Sequence, residues 1–373
     1  DALYFRSPAW YAKRGIHLHL GVRATTLDPA AHRLTLRHRS GQALADGSSV
    51  AYDRLLLATG GRPFVPPFEG TDREGVFTLR TLDDALAMKT YARDVRSAAV
   101  IGGGLLGLET ARALRTAGLE TTVIEFAPYL LPRQLDAEGA QVLQALLEAQ
   151  GLRILTGAAT EAILGHERAT GVRLKARPEY SRRDGRVVDG ELVLVSTGIR
   201  SRVELAREAG LEVNRGVVVD EQLRTSGADG STALTTGVYA AGDAAEFEGR
   251  VYGIIPAATE QAQVAAANMV AGGSATYSGT MPANTLKIAG IDLTCLGEAT
   301  ATGDEFVILR KVDAAAGVYR RLTLRDGKIA GAILLGDTQS VRPVKQLIAT
   351  GRDVSAYGER LLDKGFDLRA LAY

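Results

Sequence analysis

Cysteine is almost missing from this chain. Its 373 residues hold a single one, Cys295, so no disulfide can close within it and no Cys-x-x-Cys redox pair is available. The plain reading of Cys295 is core packing. Any redox chemistry therefore needs a bound cofactor. Cys and His at metal-ligand spacing are missing as well, so no metal site is expected. Charge of one sign is not in excess: 44 basic residues stand against 43 acidic ones, a net +1, which excludes a basic nucleic-acid patch and an acidic tail. The longest apolar runs, such as 262–270 and 54–58, are too short or too polar to span a bilayer, and no signal peptide is legible. A cytoplasmic location is the expectation. An initiating Met is missing too, and the chain soon reaches Gly15-Ile16-His17-Leu18-His19-Leu20-Gly21-Val22, which alternates like a strand. The sequence reads as entered midway through a domain.

With 46% hydrophobic and 23% charged residues, the chain has material for two or three packed domains. Arg33-Leu34-Thr35-Leu36 and the run 50–57 flank a Gly/Ser/Asp-rich stretch, the pattern of a short antiparallel meander. Residues 55–58 read as a buried strand ending at Thr59-Gly60-Gly61-Arg62-Pro63, with Pro63, Pro66 and Pro67 as an exposed linker. A helix is expected over 137–150 and a strand pair over 170–188 turning at Arg182-Arg183-Asp184-Gly185. A return strand over 191–196 follows, and then the segments 217–220 and 237–243 lead into a helix from Pro256 to about Ala271. From about Tyr277 the chain reads as a separate α+β domain with two short helical stretches.

The most informative stretch is 98–125. An apolar strand, Ala98-Ala99-Val100-Ile101, runs into Gly102-Gly103-Gly104-Leu105-Leu106-Gly107, then an alanine-rich helix, then a second strand closed by Glu125. That is a dinucleotide-binding βαβ unit. Gly102 permits the sharp turn, Gly104 lets the backbone approach a pyrophosphate, and Gly107 lets the helix pack on the strand. The phosphates would sit on the positive end of the helix beginning near Leu105. Glu125 can accept from both ribose hydroxyls and would repel a 2′-phosphate, which favours NAD(H) over NADP(H).

Four motifs in order then carry a resemblance: Ala58-Thr59-Gly60, the glycine loop through Glu109, Thr197-Gly198, and Thr236-Gly237-Val238-Tyr239-Ala240-Ala241-Gly242-Asp243. The chain resembles the two-dinucleotide flavoprotein reductases over essentially its whole length. Leu131-Pro132-Arg133-Gln134-Leu135-Asp136, the run 252–262 and the run 285–294 make it most similar to NADH-rubredoxin reductases and to the flavin portion of NAD(P)H-nitrite reductase large subunits. The resemblance implies an α/β fold in which an FAD domain is interrupted by an NAD domain and followed by a C-terminal α+β interface domain. The expected boundaries are 1–80 for the first, N-terminally incomplete FAD segment and 81–200 for the NAD domain. The second FAD segment is expected over 201–273 and the interface domain over 274–373.

Residue by residue, the resemblance implies that Gly242 and Asp243 meet FAD, with the Asp243 carboxylate accepting from a ribityl hydroxyl; an ordinary turn is the alternative. Thr59 and Gly60 would lie near the flavin nucleotide and the backbone of Val22 would meet the adenine, although Val22 is equally a strand residue facing core. Pro256 would open the helix whose N-terminus points at the pyrimidine edge of the flavin, and Ile255 stands where many relatives carry an aromatic. Gly102, Gly104, Leu106, Gly107, Glu125 and Gly198 would hold NAD(H). Glu109 would reach the nicotinamide as the catalytic residue, or serve only as a first-turn acid favourable to the helix dipole. A first Gly-x-Gly-x-x-Gly unit for the FAD pyrophosphate is not found in the chain and is expected to precede Asp1. The function implied is NADH-dependent FAD oxidoreduction toward an acceptor protein or fused redox domain such as rubredoxin. Two alternatives stay open: the flavin segment of a nitrite reductase large subunit, and a fragment that binds NAD(H) without turnover. The oligomeric state is open.

Overall fold

The computed structural model describes residues 6–40, 49–175, 185–231, 237–281, 283–288 and 291–372. The chain forms two compact units, one of residues 1–62 and 200–280 and the other of 63–199 and 281–373.

The first segment opens with helix α1 (Pro8–Ala12), then strands β1 (Val22–Asp28), β2 (Arg33–His38) and β3 (Ser49–Ala51), an antiparallel meander in the order β1-β2-β3. Residues 15–21 do not form the strand that their alternation suggests. Gly15 and Gly21 take φ of 68° and 70°, which breaks extended geometry at both ends, and Ile16, Leu18 and Leu20 are exposed. The run 50–57 also splits. Its first part is β3, whereas β4 (Leu55–Leu57) leaves the meander to pair in parallel with a later strand. The Gly/Ser/Asp-rich stretch 41–48 lies outside the described residues.

Strand β5 (Gly61–Pro63) carries the chain into the second unit, where β6 (Val76–Phe77), α2 (Leu82–Tyr91), β7 (Ser97–Ile101), α3 (Leu105–Thr116), β8 (Glu120–Ile124), α4 (Ala137–Ala149) and β9 (Arg153–Leu155) follow. The antiparallel trio β10 (Thr160–Gly165), β11 (Ala169–Leu174) and β12 (Val187–Asp189) precedes β13 (Leu192–Val195). Turn residues 182–184 between β11 and β12 lie outside the described residues. Strands β6, β13, β7, β8 and β9 make one parallel sheet in that spatial order. Strands β7 and β13 carry apolar runs buried on both faces, and β8 is buried from Thr121 to Ile124, as a covered parallel sheet requires. Helix α3 buries Gly107, Thr110, Ala111 and Leu114, the i, i+3, i+4, i+7 spacing of an amphipathic helix, with Leu108 beside them. The unit boundary falls at 62/63, and β6 pairs with Val193 and Leu194 of this sheet.

The chain returns to the first unit through β14 (Ile199–Ser201), α5 (Glu204–Glu208), β15 (Val217–Val219), β16 (Val238–Ala240), β17 (Ala245–Phe247) and α6 (Ile255–Ala271). Strand β16 pairs in parallel with β4, and β15 with β17. Leu57, Val238, Ala240 and Ala265 share one buried core with Val217 and Phe247. Residues 232–236, including Thr236 of the fourth motif, lie outside the described residues.

The last segment is a five-stranded antiparallel sheet, β18 (Ala283–Ile288), β19 (Ile291–Gly297), β20 (Phe306–Asp313), β21 (Val318–Arg325) and β22 (Lys328–Leu335), in the spatial order β18-β19-β22-β21-β20. Helices α7 (Val341–Thr350) and α8 (Leu368–Ala372) cover one face through Leu322, Leu324 and Leu334. Tyr319, Ile333 and Leu335, one residue out of phase, join the core that holds Leu108, Leu130, Leu135 and Leu143. This sheet packs into the unit that carries α3 and α4. Residues 282, 289 and 290, within or beside the 285–294 motif, lie outside the described residues. Among the described residues no helix is long and apolar enough to cross a membrane.

Candidate functional site

In the parallel sheet, the order reverses between β7 and β13, so the loops at their carboxyl ends, 102–104 and 196–198, flank the topological switch point where ligands of open α/β sheets bind. The structure brings these two loops together. Ser196 N–H donates to the Ile101 carbonyl at 2.8 Å, and a Cβ on Gly102 would stand 2.2 Å from the Ser196 carbonyl oxygen. Gly102 takes φ +117°, so both its conformation and its surroundings exclude a side chain. A Cβ on Gly107 would lie 2.1 Å from the Gly102 carbonyl, which is the close helix-to-strand approach expected of it. Gly104 differs: a Cβ there would meet nothing within 4 Å, so its face is open.

Gly104 is also the N-cap of α3 and offers no side chain to the first turn, leaving the amides that follow to an external acceptor. Leu106 is 43% exposed on that turn. Gly198, at φ +107°, is exposed on the facing loop and holds it by accepting from Phe64 N–H at 2.9 Å. These open glycines and uncapped amides fit a dinucleotide diphosphate.

Glu125 follows β8 directly. Its Oε2 accepts from Gly103 N–H and its Oε1 from Ala127 N–H, each at 2.6 Å. Sequence reasoning assigned this carboxylate to ribose hydroxyls and missed that it also ties down the glycine loop; both oxygens keep lone pairs for further donors. Glu109 lies on the exposed side of α3, and partial burial raises its carboxyl pKa.

In the first unit, the carboxyl ends of β4 and β16 gather a second set. Ala241 N–H donates to Leu57 O at 3.1 Å, Thr59 Oγ1 donates to Arg202 O at 2.7 Å, and Arg202 N–H donates to Gly60 O at 2.8 Å. Ser201 Oγ donates to the Asp243 carbonyl at 2.6 Å. Gly242, at φ +75°, donates its N–H to Oε1 of the buried Gln261 at 2.8 Å, and Ala258 of α6 lies against it. Thr59, Gly60, Gly242 and Asp243 are thus brought together. Gln261, one helical turn beyond Ala258, had no signal in the motif that would have singled it out. Helix α6 begins at Ile255, so Pro256 is one position later than expected, and Ile254 gives it no side-chain cap. The left-handed glycine turn and this uncapped helix start, with Ile255 83% exposed on it, fit the ribityl and ring end of a flavin nucleotide. Val22 lies in the same unit. It stands opposite His38 at the start of β1, in the antiparallel meander.

Comparison with known proteins identifies the family. Residues 9–268 match the model of the pyridine nucleotide-disulphide oxidoreductases, and residues 282–352 match that of the rubredoxin NAD+ reductase C-terminal domain. The chain is 33% identical over 347 residues to a nitrite reductase [NAD(P)H] of Bacillus subtilis, covering 93% of this chain and 40% of that one. It is 32% identical to the ferredoxin--NAD(+) reductase component of a biphenyl dioxygenase system of Paraburkholderia xenovorans, over 97% of this chain and 83% of that one. A crystal structure of a ferredoxin reductase from Rhodopseudomonas palustris superposes with a TM-score of 0.82 at 26% identity, covering 100% of this chain and 86% of that one. Against the nitrite and nitrate reductase proteins it matches, the chain spans 35% to 44% of their length. The chain belongs to the pyridine nucleotide-disulphide oxidoreductase family, whose members are FAD-dependent and use NAD(P)H.

Proposed function

We propose that the chain is the flavin module of an NADH-dependent oxidoreductase that hands electrons to an acceptor protein or a fused redox domain, in the cytoplasm. The observation that carries this reading is the switch-point loop, with Gly104 open, Gly102 and Gly107 sterically obligatory, and α3 left uncapped beside Glu125. In this assignment Gly102, Gly104, Leu106, Gly107 and Gly198 hold the dinucleotide backbone. Glu125 accepts from its adenosine ribose, and Glu109 meets the nicotinamide end. Thr59, Gly60, Gly242, Asp243 and the start of α6 at Pro256 hold FAD, with Val22 at its adenine end. A bound flavin would supply the hydride acceptor and the outlet for electrons.

The chain's own groups orient and exclude. Backbone amides at the start of α3 bind an anion without a side-chain charge, and the Glu125 carboxylate repels a 2′-phosphate, selecting NADH. The elevated pKa of Glu109 lets it donate a hydrogen bond as the acid over a wider pH range than an ordinary carboxyl. The uncapped start of α6 presents positive potential that favours an anionic reduced ring.

The test is a visible spectrum of the purified chain with FAD, followed by anaerobic NADH. A flavin band that bleaches supports the reading. A protein that binds NADH but stays colourless with FAD reduces this chain to a binding module. The nitrite reductase reading is favoured by the 40% coverage of the Bacillus subtilis relative, and siroheme and iron-sulfur modules encoded in the same reading frame would decide it.

A further inference from the structure

The nucleotide loop is tied to the C-terminal sheet by contacts that dinucleotide binding alone does not call for. Gly103 has both backbone groups fixed by protein: its N–H donates to Glu125 and its carbonyl accepts from Leu131 N–H at 3.3 Å. A Cβ on it would stand 2.7 Å from Leu130 Cδ2. Leu130 and Leu131 are fully buried, and Leu131 takes φ +51°, in the left-handed region that a leucine rarely occupies. The Leu131 carbonyl accepts from Gln134 N–H at 2.8 Å and Leu135 N–H at 2.9 Å, closing a tight turn that delivers Asp136 to the N-cap of α4. There Asp136 Oδ1 accepts from Gly139 N–H at 3.0 Å, while Oδ2 accepts from the Tyr319 hydroxyl at 2.5 Å and Arg321 Nη1 at 2.8 Å. Both partners come from β21. Arg321 is 3% exposed and is itself aimed by a bond from Nη2 to Ala301 O at 2.6 Å.

We propose that Tyr319 and Arg321 are positioning residues for NAD(H) binding, acting through Asp136 and the 130–135 turn to hold Gly103 and the loop around it. The proposal rests on the assignment of NAD(H) to the 102–107 loop. An ion pair this buried is no more stabilising than well-packed apolar side chains would be, so stability alone does not account for it. What it adds is direction. Asp136 is held by three donors from two elements, so the turn behind it cannot slide along α4, and Leu131 is kept at the one distance that reaches Gly103. A diphosphate cradle made of backbone amides depends on such support, because small displacements of its donors weaken every bond at once.

The test compares Tyr319→Phe, Arg321→Met, Arg321→Lys and Asp136→Asn in the full chain with FAD supplied. NADH dissociation constants are read by titration well below each melting temperature, and NADH-ferricyanide turnover gives KM and kcat. Tyr319→Phe and Arg321→Met are expected to weaken NADH binding about tenfold, as loss of a charge-assisted hydrogen bond does, and to raise KM while leaving kcat within about twofold. Arg321→Lys keeps the charge without the fork and falls between wild type and Arg321→Met. Tyr319→Phe, the mildest change, keeps the proposal open to refutation if Arg321→Met does not fold. Variants that melt earlier yet bind NADH like wild type overturn the positioning role alone. Failure of the wild-type chain to bind NADH overturns the loop assignment and this inference with it.

Discussion

Gly104 and Gly107 sit three residues apart and are glycine for opposite reasons. Gly107 has no room, since its Cβ would lie 2.1 Å from the Gly102 carbonyl, whereas a Cβ on Gly104 would meet open space. Gly107→Ala is therefore expected to cost about 1–3 kcal/mol of stability as the helix shifts, and to weaken NADH binding with it. Gly104→Ala should melt within about 2 °C of wild type while weakening NADH binding about tenfold or more, because the methyl occupies the space the diphosphate needs. Thermal melts beside NADH titrations separate the two. A Gly104→Ala protein that binds NADH normally would place the diphosphate elsewhere. Glu125→Ala removes both the anchor on Gly103 N–H and the repulsion of a 2′-phosphate, so NADH affinity falls and the preference over NADPH narrows when both constants are measured. The loop was legible in the sequence because each steric demand falls on a residue within six positions. Glu125's grip on Gly103 and Gln261's grip on Gly242 were not, because an acid or amide has many available donors and only the fold chooses among them.

Elements followed the same rule of locality. Helix α3 begins at Leu105 and α4 at Ala137 as expected, the first after a glycine turn and the second on an Asp136 cap that the structure shows. The alternation at 15–22 failed because a strand also needs a partner, and two left-handed glycines bracket the segment. Asp136 shows what an element can hide. It caps α4, yet its partners at 319 and 321 lie on another sheet and leave no local mark in the sequence. Burial alone would raise its pKa, but the Tyr319 hydroxyl, the Gly139 N–H and the Arg321 guanidinium outweigh it, so the carboxyl titrates below the ordinary range. The sign follows from proton linkage: a depressed folded pKa means that the unfolded chain binds the proton more readily, so this stabilisation is present above about pH 4 and is lost as pH falls through the folded value. Urea melts from pH 7 to pH 3 should show wild type losing its advantage over Asp136→Asn in acid. A gap that stays constant with pH would mean that the carboxylate charge adds nothing. Cys295, pushed up to about 12 first by burial and then by the Asp136 charge, remains a thiol throughout this range and donates to Gln134 O.

At the scale of the molecule, the chain order and the spatial units diverge. The C-terminal sheet joins the unit of α3 and α4 because alternate residues of β21 and β22, Tyr319, Ile333 and Leu335, complete the core around Leu130 and Leu143. Sequence patterning identifies the two faces of such a sheet but not which neighbour each will cover. This grouping has a thermodynamic consequence. The proposed NAD(H) loop and the proposed FAD set lie in different units, so each ligand stabilises a different part of the chain. Binding adds about 2.7 kcal/mol at about 100 times the dissociation constant, which raises the melting temperature of a unit this size by roughly 5–10 °C. Calorimetry with NADH alone, FAD alone and both should therefore show two transitions that move independently, with Gly104→Ala abolishing only the NADH shift. If FAD moves nothing while NADH still stabilises its own unit, then the turn at Gly242 and the start of α6 are too little of a flavin site by themselves. Electron transfer would then require the further βαβ cradle that the first unit, with Ile16, Leu18 and Leu20 exposed, does not provide among its described residues.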